Sequence, residues 1–265
     1  MSATEAEFRV AFASRLARLI HLAEWLGAGR HEWLAHIEPW TELAWLVVTH
    51  NRAAGLTRIT APEEMAAKHF LDSLSPLIYD VWGSEAEVVD VGSGAGFPGL
   101  ALAVALPTVS MTMVEASHRR VAFLRAASAH LGVRTRVVHR RAEDYGGERA
   151  GEGRERHDTG LARAAAPFPV SCEFVIPLLR IGGSFIAQLG PAAGERLEEL
   201  ARQDPREQAP WAVLGAELED IRRVDLPEGQ GRRFVARFVK RRPSPRRFPR
   251  RAGVPERNPL PGFER

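Results

Sequence analysis

Apolar residues in the first third of the chain recur every three or four positions. Phe8, Phe12, Leu16, Leu19 and Ile20 share one helical face, which Leu22, Trp25 and Leu26 extend. Gly27 and Gly29 end that helix. A second run goes from Trp33 through Trp40, Leu43, Leu46 and Val47 to Gly55. A third opens at Thr60-Ala-Pro-Glu63. Thr60 and Glu63 have the spacing of a capping box, and Pro62 falls in the first turn, where its missing N–H costs little. Met65, Phe70, Leu74, Leu77, Ile78 and Val81 form the inner face of this third helix. Five of the six tryptophans lie in this first third, where core packing between helices explains them better than a stacking platform for bases.

The period changes at Glu87. Short apolar or alternating runs at 88–91, 109–115, 136–139, 160–163 and 184–189 read as strands. Helical stretches at 98–106, 119–131, 170–179 and 193–202 fall between or after them. Gly132 and the Gly182-Gly183 pair are stop and turn signals. Two further strands fit at 217–224 and 233–239, joined antiparallel through Pro227-Glu-Gly-Gln-Gly231. Residues 145–157 are almost devoid of apolar side chains and read as a surface loop. Alternating strands and helices predict an α/β fold, a mostly parallel sheet with helices on both faces and an antiparallel edge. The expected division is a helical region over 1–82, a sheet domain over 83–240 and a C-terminal tail over 241–265.

Composition narrows the classes. One cysteine, Cys172, excludes an intrachain disulfide framework and a CxxC site, and its apolar helix makes it a core residue. No apolar run reaches the ~18–20 residues of a membrane span. The acidic start Met1-Ser-Ala-Thr-Glu5 lacks the pattern of a signal peptide, so a cytoplasmic protein is expected. No internal repeat is visible. The nine histidines show no metal-binding spacing. His69, on the apolar side of its helix, reads as a satisfied core histidine. The net charge of +3 hides an asymmetry. Residues 232–265 hold 12 basic and 2 acidic residues, against 24 basic and 31 acidic in 1–231. A basic tail on an acidic body fits an anionic partner; a solvated arginine tail fits equally well.

The informative stretch is Val88-Val-Asp-Val-Gly-Ser-Gly-Ala-Gly-Phe-Pro-Gly99. It contains GxGxxG at Gly94, Gly96 and Gly99, and DxGxGxG at Asp90, Gly92, Gly94 and Gly96. Either loop needs glycine so that the backbone can turn tightly and approach a ligand. Ser93 lacks the glycine spacing of a nucleophile elbow. Asp90 favours S-adenosylmethionine over a dinucleotide, because a carboxylate suits a sulfonium and an ammonium better than a pyrophosphate. Glu115, ending the second strand, suits ribose hydroxyls in either case. Arg141-Ala-Glu-Asp144 follows the third strand, where Ala142 and Glu143 suit an adenine pocket or simply an acidic helix start. Arg163 interrupts an apolar strand and needs an anion: a structural ion pair to Asp90 or Glu143, or a ligand or RNA phosphate, which its strand end favours.

These residues resemble a known family, the bacterial 16S ribosomal RNA guanine-N7 methyltransferases. Lys68-His-Phe-Leu-Asp-Ser-Leu74 is similar to the family's KHFLDSL helix, and Val89–Leu100 to its glycine loop with Phe-Pro-Gly. Arg119–Leu124, Arg141-Ala-Glu143 and Ala162-Arg-Ala164 follow in the family's order. Phe248–Leu260 is similar to its YPRKAGTPxxxPL tail. The likeness covers roughly residues 33–260. It implies a class I, Rossmann-like S-adenosylmethionine-dependent methyltransferase with a seven-stranded sheet. The substrate would be 16S rRNA or the small ribosomal subunit, methylated at N7 of guanine 527. It implies cofactor contacts at Gly92, Phe97, Ala142, Glu143 and Arg163, with S-adenosylhomocysteine as product. Arg163 and Arg141 would orient or stabilise electrostatically, with no general base and no metal. RNA phosphates would meet the basic tail, and the protein would act as a monomer. Ala187-Gln-Leu-Gly190 lacks the lysine that the family tends to carry after strand five, and Gly55-Leu-Thr57 stands where it often has NLT. A methyltransferase of the same fold with another substrate, a non-catalytic RNA-binding assembly factor and, more remotely, an NAD oxidoreductase are the competing readings.

Overall fold

A computed structural model describes residues 3–147, 152–163, 166–202, 209–261 and 263. Ala164 of the Ala162-Arg-Ala164 segment and the terminal Arg265 lie outside the described residues. The strands are β1 (Glu87–Val91), β2 (Ser110–Glu115), β3 (Thr135–His139), β4 (His157–Arg163), β5 (Leu179–Leu189), β6 (Ala216–Leu226) and β7 (Gly231–Lys240). They form one seven-stranded sheet in the order β3-β2-β1-β4-β5-β7-β6. β1 to β5 run parallel, and β7 pairs antiparallel with both β5 and β6. The expected α/β class and antiparallel edge both hold.

The helices are α1 (Ala3–Leu22), α2 (Ile37–Ala54), α3 (Pro62–Met65), α4 (Gly99–Ala105), α5 (His118–Leu131), α6 (Ala142–Gly146), α7 (Phe168–Val175), α8 (Pro191–Arg202), α9 (Pro210–Val213) and α10 (Val254–Arg257). Alternation along the strands divides the core by sheet face. Val88, Met111 and Met113 face one side, packed against α1, α2, α4 and α5. Val89, Val91 and Val114 face the other, against α7, α9 and the C-terminal segment. The aromatic N-terminal third is core, as expected. Trp40 is buried and its Nε1–H donates to the Ala101 carbonyl of α4 at 3.0 Å, while Trp25, Trp33, Trp45 and Trp82 pack against the same cluster. No described helix is long and apolar enough to cross a membrane.

Several local expectations change. No capping box forms at Thr60: Pro62 is the first helical residue, which makes Ala61 the cap, without a side-chain bond. The fixed φ of Pro62 starts the helix one residue too late for Thr60. The third N-terminal helix is also not continuous. After α3 it widens into a π-helical turn over Ala66–Leu71, and a 3-10 turn follows at Ser75–Ile78. π turns tend to occur at functional sites, because the extra residue re-aims side chains. β5 starts at Leu179 rather than after the glycine pair. Its register against β4 jumps from His157↔Leu179 to Thr159↔Ser184, so residues between them bulge outward with Gly182 at φ 83°.

Candidate cofactor and nucleic-acid site

β1 has β2 on one side and β4 on the other, so strand order reverses there, and the crevice at the carboxyl ends is where open α/β sheets bind ligands. The glycine loop enters this crevice. The Gly92 N–H donates to the Val114 carbonyl at 2.8 Å and the Gly96 N–H to the Ser93 carbonyl at 2.8 Å. Gly96 has φ 93°, and a Cβ there would lie 2.8 Å from the Leu100 Cβ, so only glycine fits without a shift.

The loop borders a cleft of about 390 Å³. Gly92, Gly94, Phe97, Glu115, Arg141, Ala142, Glu143 and Arg163 all line it, drawn together from four strand ends. Asp90 and Gly96 do not. Asp90 is 1% exposed and sits beneath the loop, where its Oδ2 accepts the Gly99 N–H at 3.0 Å. The carboxylate expected to face a cationic ligand therefore lies under the loop and not on the cleft surface. Alternation puts Asp90 on the same face as Val88, toward α4, and there it braces the start of that helix. Burial pushes its pKa up to about 6, against the opposing pull of hydrogen bonds from Ser93 and Gly99. Gly99 leaves no room for a side chain, since a Cβ would lie 2.6 Å from the Asp90 Oδ2.

Glu115 spans the loop and the following turn. Its Oε2 accepts the Gly94 N–H at 3.0 Å and its Oε1 the Ser117 N–H at 2.8 Å. Glu143 is buried in α6, and its Oε1 accepts the Gly253 N–H from the C-terminal segment at 3.0 Å. Arg141, at the start of α6, is half exposed, 3.9 Å from Glu256.

Arg163 lies at the end of β4, buried but for 14% of its side chain. Its carboxylate partner is neither Asp90 nor Glu143. Nη1 is 3.4 Å from the Asp72 Oδ2 and also donates to the Lys68 and His69 carbonyls at 3.2 and 3.4 Å. These acceptors come from the π-helical turn and the residue after it. Arg233 of β7 reaches the same Asp72 oxygen at 3.1 Å. Gln188, in the segment without the family's lysine, donates from Nε2 to the Asp72 carbonyl at 2.8 Å and to the Ser75 Oγ at 2.9 Å.

Sequence reasoning placed His69 in the core, but it lines the cleft. Its ring stacks on Phe97 at 4.7 Å and 8°, and its Nε2 lies 2.7 Å from the Thr57 Oγ1. Burial, reinforced by the Arg163 charge, lowers its pKa to about 3, so it is neutral at physiological pH. Phe97 is held on further sides by Phe70 at 4.9 Å and by the Arg163 guanidinium at 5.6 Å. The only advance signal for His69 was its place in the Lys68–Leu74 stretch.

The basic tail is fastened to the body at several points, although most of its described residues are exposed. The Arg154 guanidinium donates to the Phe248 and Ser244 carbonyls at 2.5 and 2.6 Å. Arg250 forks onto the fully buried Glu173, and Phe248 is buried. Arg232, Arg233, Arg237, Lys240, Arg241 and Arg250 all have carboxylate partners, so much of the terminal positive charge is matched locally. Arg247 and Arg251 remain exposed.

Other reactive types are quiet. The Ser93 hydroxyl donates to the Asp90 carbonyl, and burial raises the Cys172 thiol pKa. Among the described residues no His, Cys, Asp and Glu cluster has the makings of a metal site. A wider hollow of about 770 Å³ beside β6 and α8 gathers none of the predicted site residues.

The profile of a family described as rRNA small subunit methyltransferase G matches residues 37–210. The chain is 40% identical over 221 residues to the ribosomal RNA small subunit methyltransferase G of Symbiobacterium thermophilum, covering 81% of this chain and 86% of that protein. It is 37% identical over 216 residues to the protein of the same name from Staphylococcus haemolyticus, covering 81% and 86%. Among solved structures, a variant of the Thermus thermophilus branched-chain polyamine synthase superposes with a TM-score of 0.51 at 15% identity. That match covers 76% of this chain and 64% of the synthase, and shows a shared fold.

Proposed function

The chain belongs to the rRNA small subunit methyltransferase G family, and from that membership we propose that it methylates N7 of a guanine in 16S rRNA, with S-adenosylmethionine as methyl donor. By resemblance the target is guanine 527. The observation that carries this reading is the convergence of the glycine loop, Glu115 and the Arg141–Glu143 corner on one cleft.

The cleft suits the cofactor chemically. It offers close backbone approach at Gly92 and Gly94, the carboxylates of Glu115 and Glu143 for polar edges, and the flat ring of Phe97. When bound there, S-adenosylmethionine supplies an electrophilic methyl group on a sulfonium. Guanine N7 has an in-plane lone pair and no proton to lose, so the site needs no general base. The protein's part is then alignment and charge placement. Glu115 and Glu143 favour the positive charge that starts on the cofactor and ends on the methylated base. Arg163 stays protonated and acts by orientation, its guanidinium fixed by Asp72 and two backbone carbonyls. His69, being neutral, adds a wall to the Phe97 ring without adding repulsion. Arg120, Arg140 and Arg141 border the cleft, and with exposed Arg247 and Arg251 they form the surface offered to RNA phosphates.

In this reading residues 1–82 and 241–265 are not appendages; they complete the site of the 83–240 domain. The protein works as a monomer in the cytoplasm. The test is transfer of labelled methyl to undermethylated 16S rRNA or small subunits, with the product nucleoside identified. N7-methylguanosine is expected. Cofactor binding without that product overturns the rRNA reading, and loss of both would favour a non-catalytic role.

A further inference from the structure

The segment after β7 does two things at once. Its exposed side carries Arg247 and Arg251, while its inner side is fastened to the body beside the cleft. Arg250 is the principal fastening. Its backbone N–H donates to the Glu173 Oε1 at 2.7 Å, and its guanidinium donates to both carboxylate oxygens at 2.6 to 3.1 Å. Glu173 is fully buried, so this bidentate pair is charge-assisted and poorly screened. Three residues on, the Gly253 N–H reaches the Glu143 carboxylate at 3.0 Å. Three further on, Glu256 lines the cleft itself. Gly253 has φ 77°, a left-handed turn that lets the chain fold back so that one residue bonds Glu143 and the other reaches the cleft.

We propose that residues 248–257 are a wall of the cofactor pocket, and that Arg250 is a positioning residue which, through Gly253, sets the Glu143 carboxylate. This rests on the cofactor reading of the cleft. It makes the basic segment more than a holder of phosphates. A ligand that engages Glu143 steadies the strap, and the strap steadies Glu143. Coupling of this kind is reciprocal, so an anion that holds the outer arginines in place also tightens cofactor binding.

The experiment uses the full-length protein with S-adenosylhomocysteine as probe. Hydrogen exchange is followed with and without the probe, alongside calorimetric titration of the unaltered protein, Arg250→Gln and Arg250→Lys. Added protection is expected in two places, the glycine loop and residues 250–257. Arg250→Gln is expected to weaken probe affinity about ten-fold, within the range usual for coupled sites, and Arg250→Lys to restore part of it. Protection of the glycine loop with residues 250–257 unchanged overturns the proposal and leaves the cofactor reading standing. Unaltered affinity in a folded Arg250→Gln protein does the same. Failure of the unaltered protein to bind the probe overturns the cofactor reading, and the coupling with it. If Arg250→Gln does not fold, exchange on the unaltered protein still decides.

Discussion

The cleft is completed from two sides, and the two sides are built differently. On the N-terminal side, a π-helical turn supplies the His69 ring against Phe97 and two carbonyls to Arg163, with the Asp72 carboxylate just beyond it. On the C-terminal side, a strap with one short helical turn is tied down by Arg154, by Arg250 on Glu173 and by Gly253 on Glu143. The first side joins a ring stack to one shared carboxylate through Arg163. The second is a row of separate polar ties over a smaller apolar anchor, Phe248 and Leu260. A shared carboxylate concentrates the energetic risk in one residue, whereas separate ties spread it.

The largest effect is expected at Asp72. Asp72→Ala leaves Arg163 and Arg233 without their common carboxylate, and removing one partner of a buried ion pair costs about 3–5 kcal/mol. Thermal unfolding should show a loss of that order, and methyl transfer should fall with it. A fall no larger than that of an exposed substitution would mean the N-terminal side is not centred on Asp72.

Acid is expected to have the next largest effect. His69 has its pKa lowered to about 3 and His157 to about 4, chiefly by burial in both cases. Arg163 opposes charge on His69. Around His157, Arg156 and Arg136 oppose it while Asp158 favours it. Between the ordinary value of 6.5 and these lowered values, the unfolded chain binds protons that the folded chain does not. Stability therefore falls as pH drops from 6.5 toward 3. Asp90, raised from 3.8 to about 6, works the other way: the folded chain holds its proton first, which favours folding as pH falls from 6 to 4. Replacing His69 by Phe should flatten the first trend, and Asp90→Asn the second. Denaturant melts at pH 4 and pH 7 measure both; unchanged pH dependence in the two variants contradicts the assignment.

The smallest effects belong to the outer face of the strap. Arg247→Ala and Arg251→Ala should change stability by no more than about 0.5 kcal/mol. Each should reduce the salt dependence of RNA binding by about one ion and leave cofactor affinity unaltered. Filter binding across salt concentrations reads this. A loss of cofactor affinity in either variant would show that the outer arginines, and not only Arg250, act on the pocket.

Much of the architecture was legible from period alone. Strand and helix patterns are local, and β1, β2, β3, β6 and β7 appeared within two residues of their final limits because alternation and helical spacing follow from backbone geometry, while β4 and β5 begin three and five residues before the expected starts. The loop was legible too, since turning tightly beside a ligand demands glycine at short fixed intervals. The roles of individual side chains were less so. Asp90 reads as a ligand carboxylate, and only the fold shows that β1 sets it against the start of α4. His69 reads as core until the π turn sets its ring on Phe97. The tail reads equally as the holder of an anionic partner and as a solvated polycation, and only the fold shows Glu173 and Glu143 beneath it.

The chain's pattern by itself determined the α/β class, the position of the glycine loop and the set of residues worth following. Only the tertiary structure decided which charge meets which. Arg163 and Asp72 are 91 positions apart, Arg233 and Asp72 161, Gly253 and Glu143 110. No local pattern encodes pairings at such separations. They depend on strand order, register and where each helix settles on the sheet, and those are fixed by burial of the core as a whole.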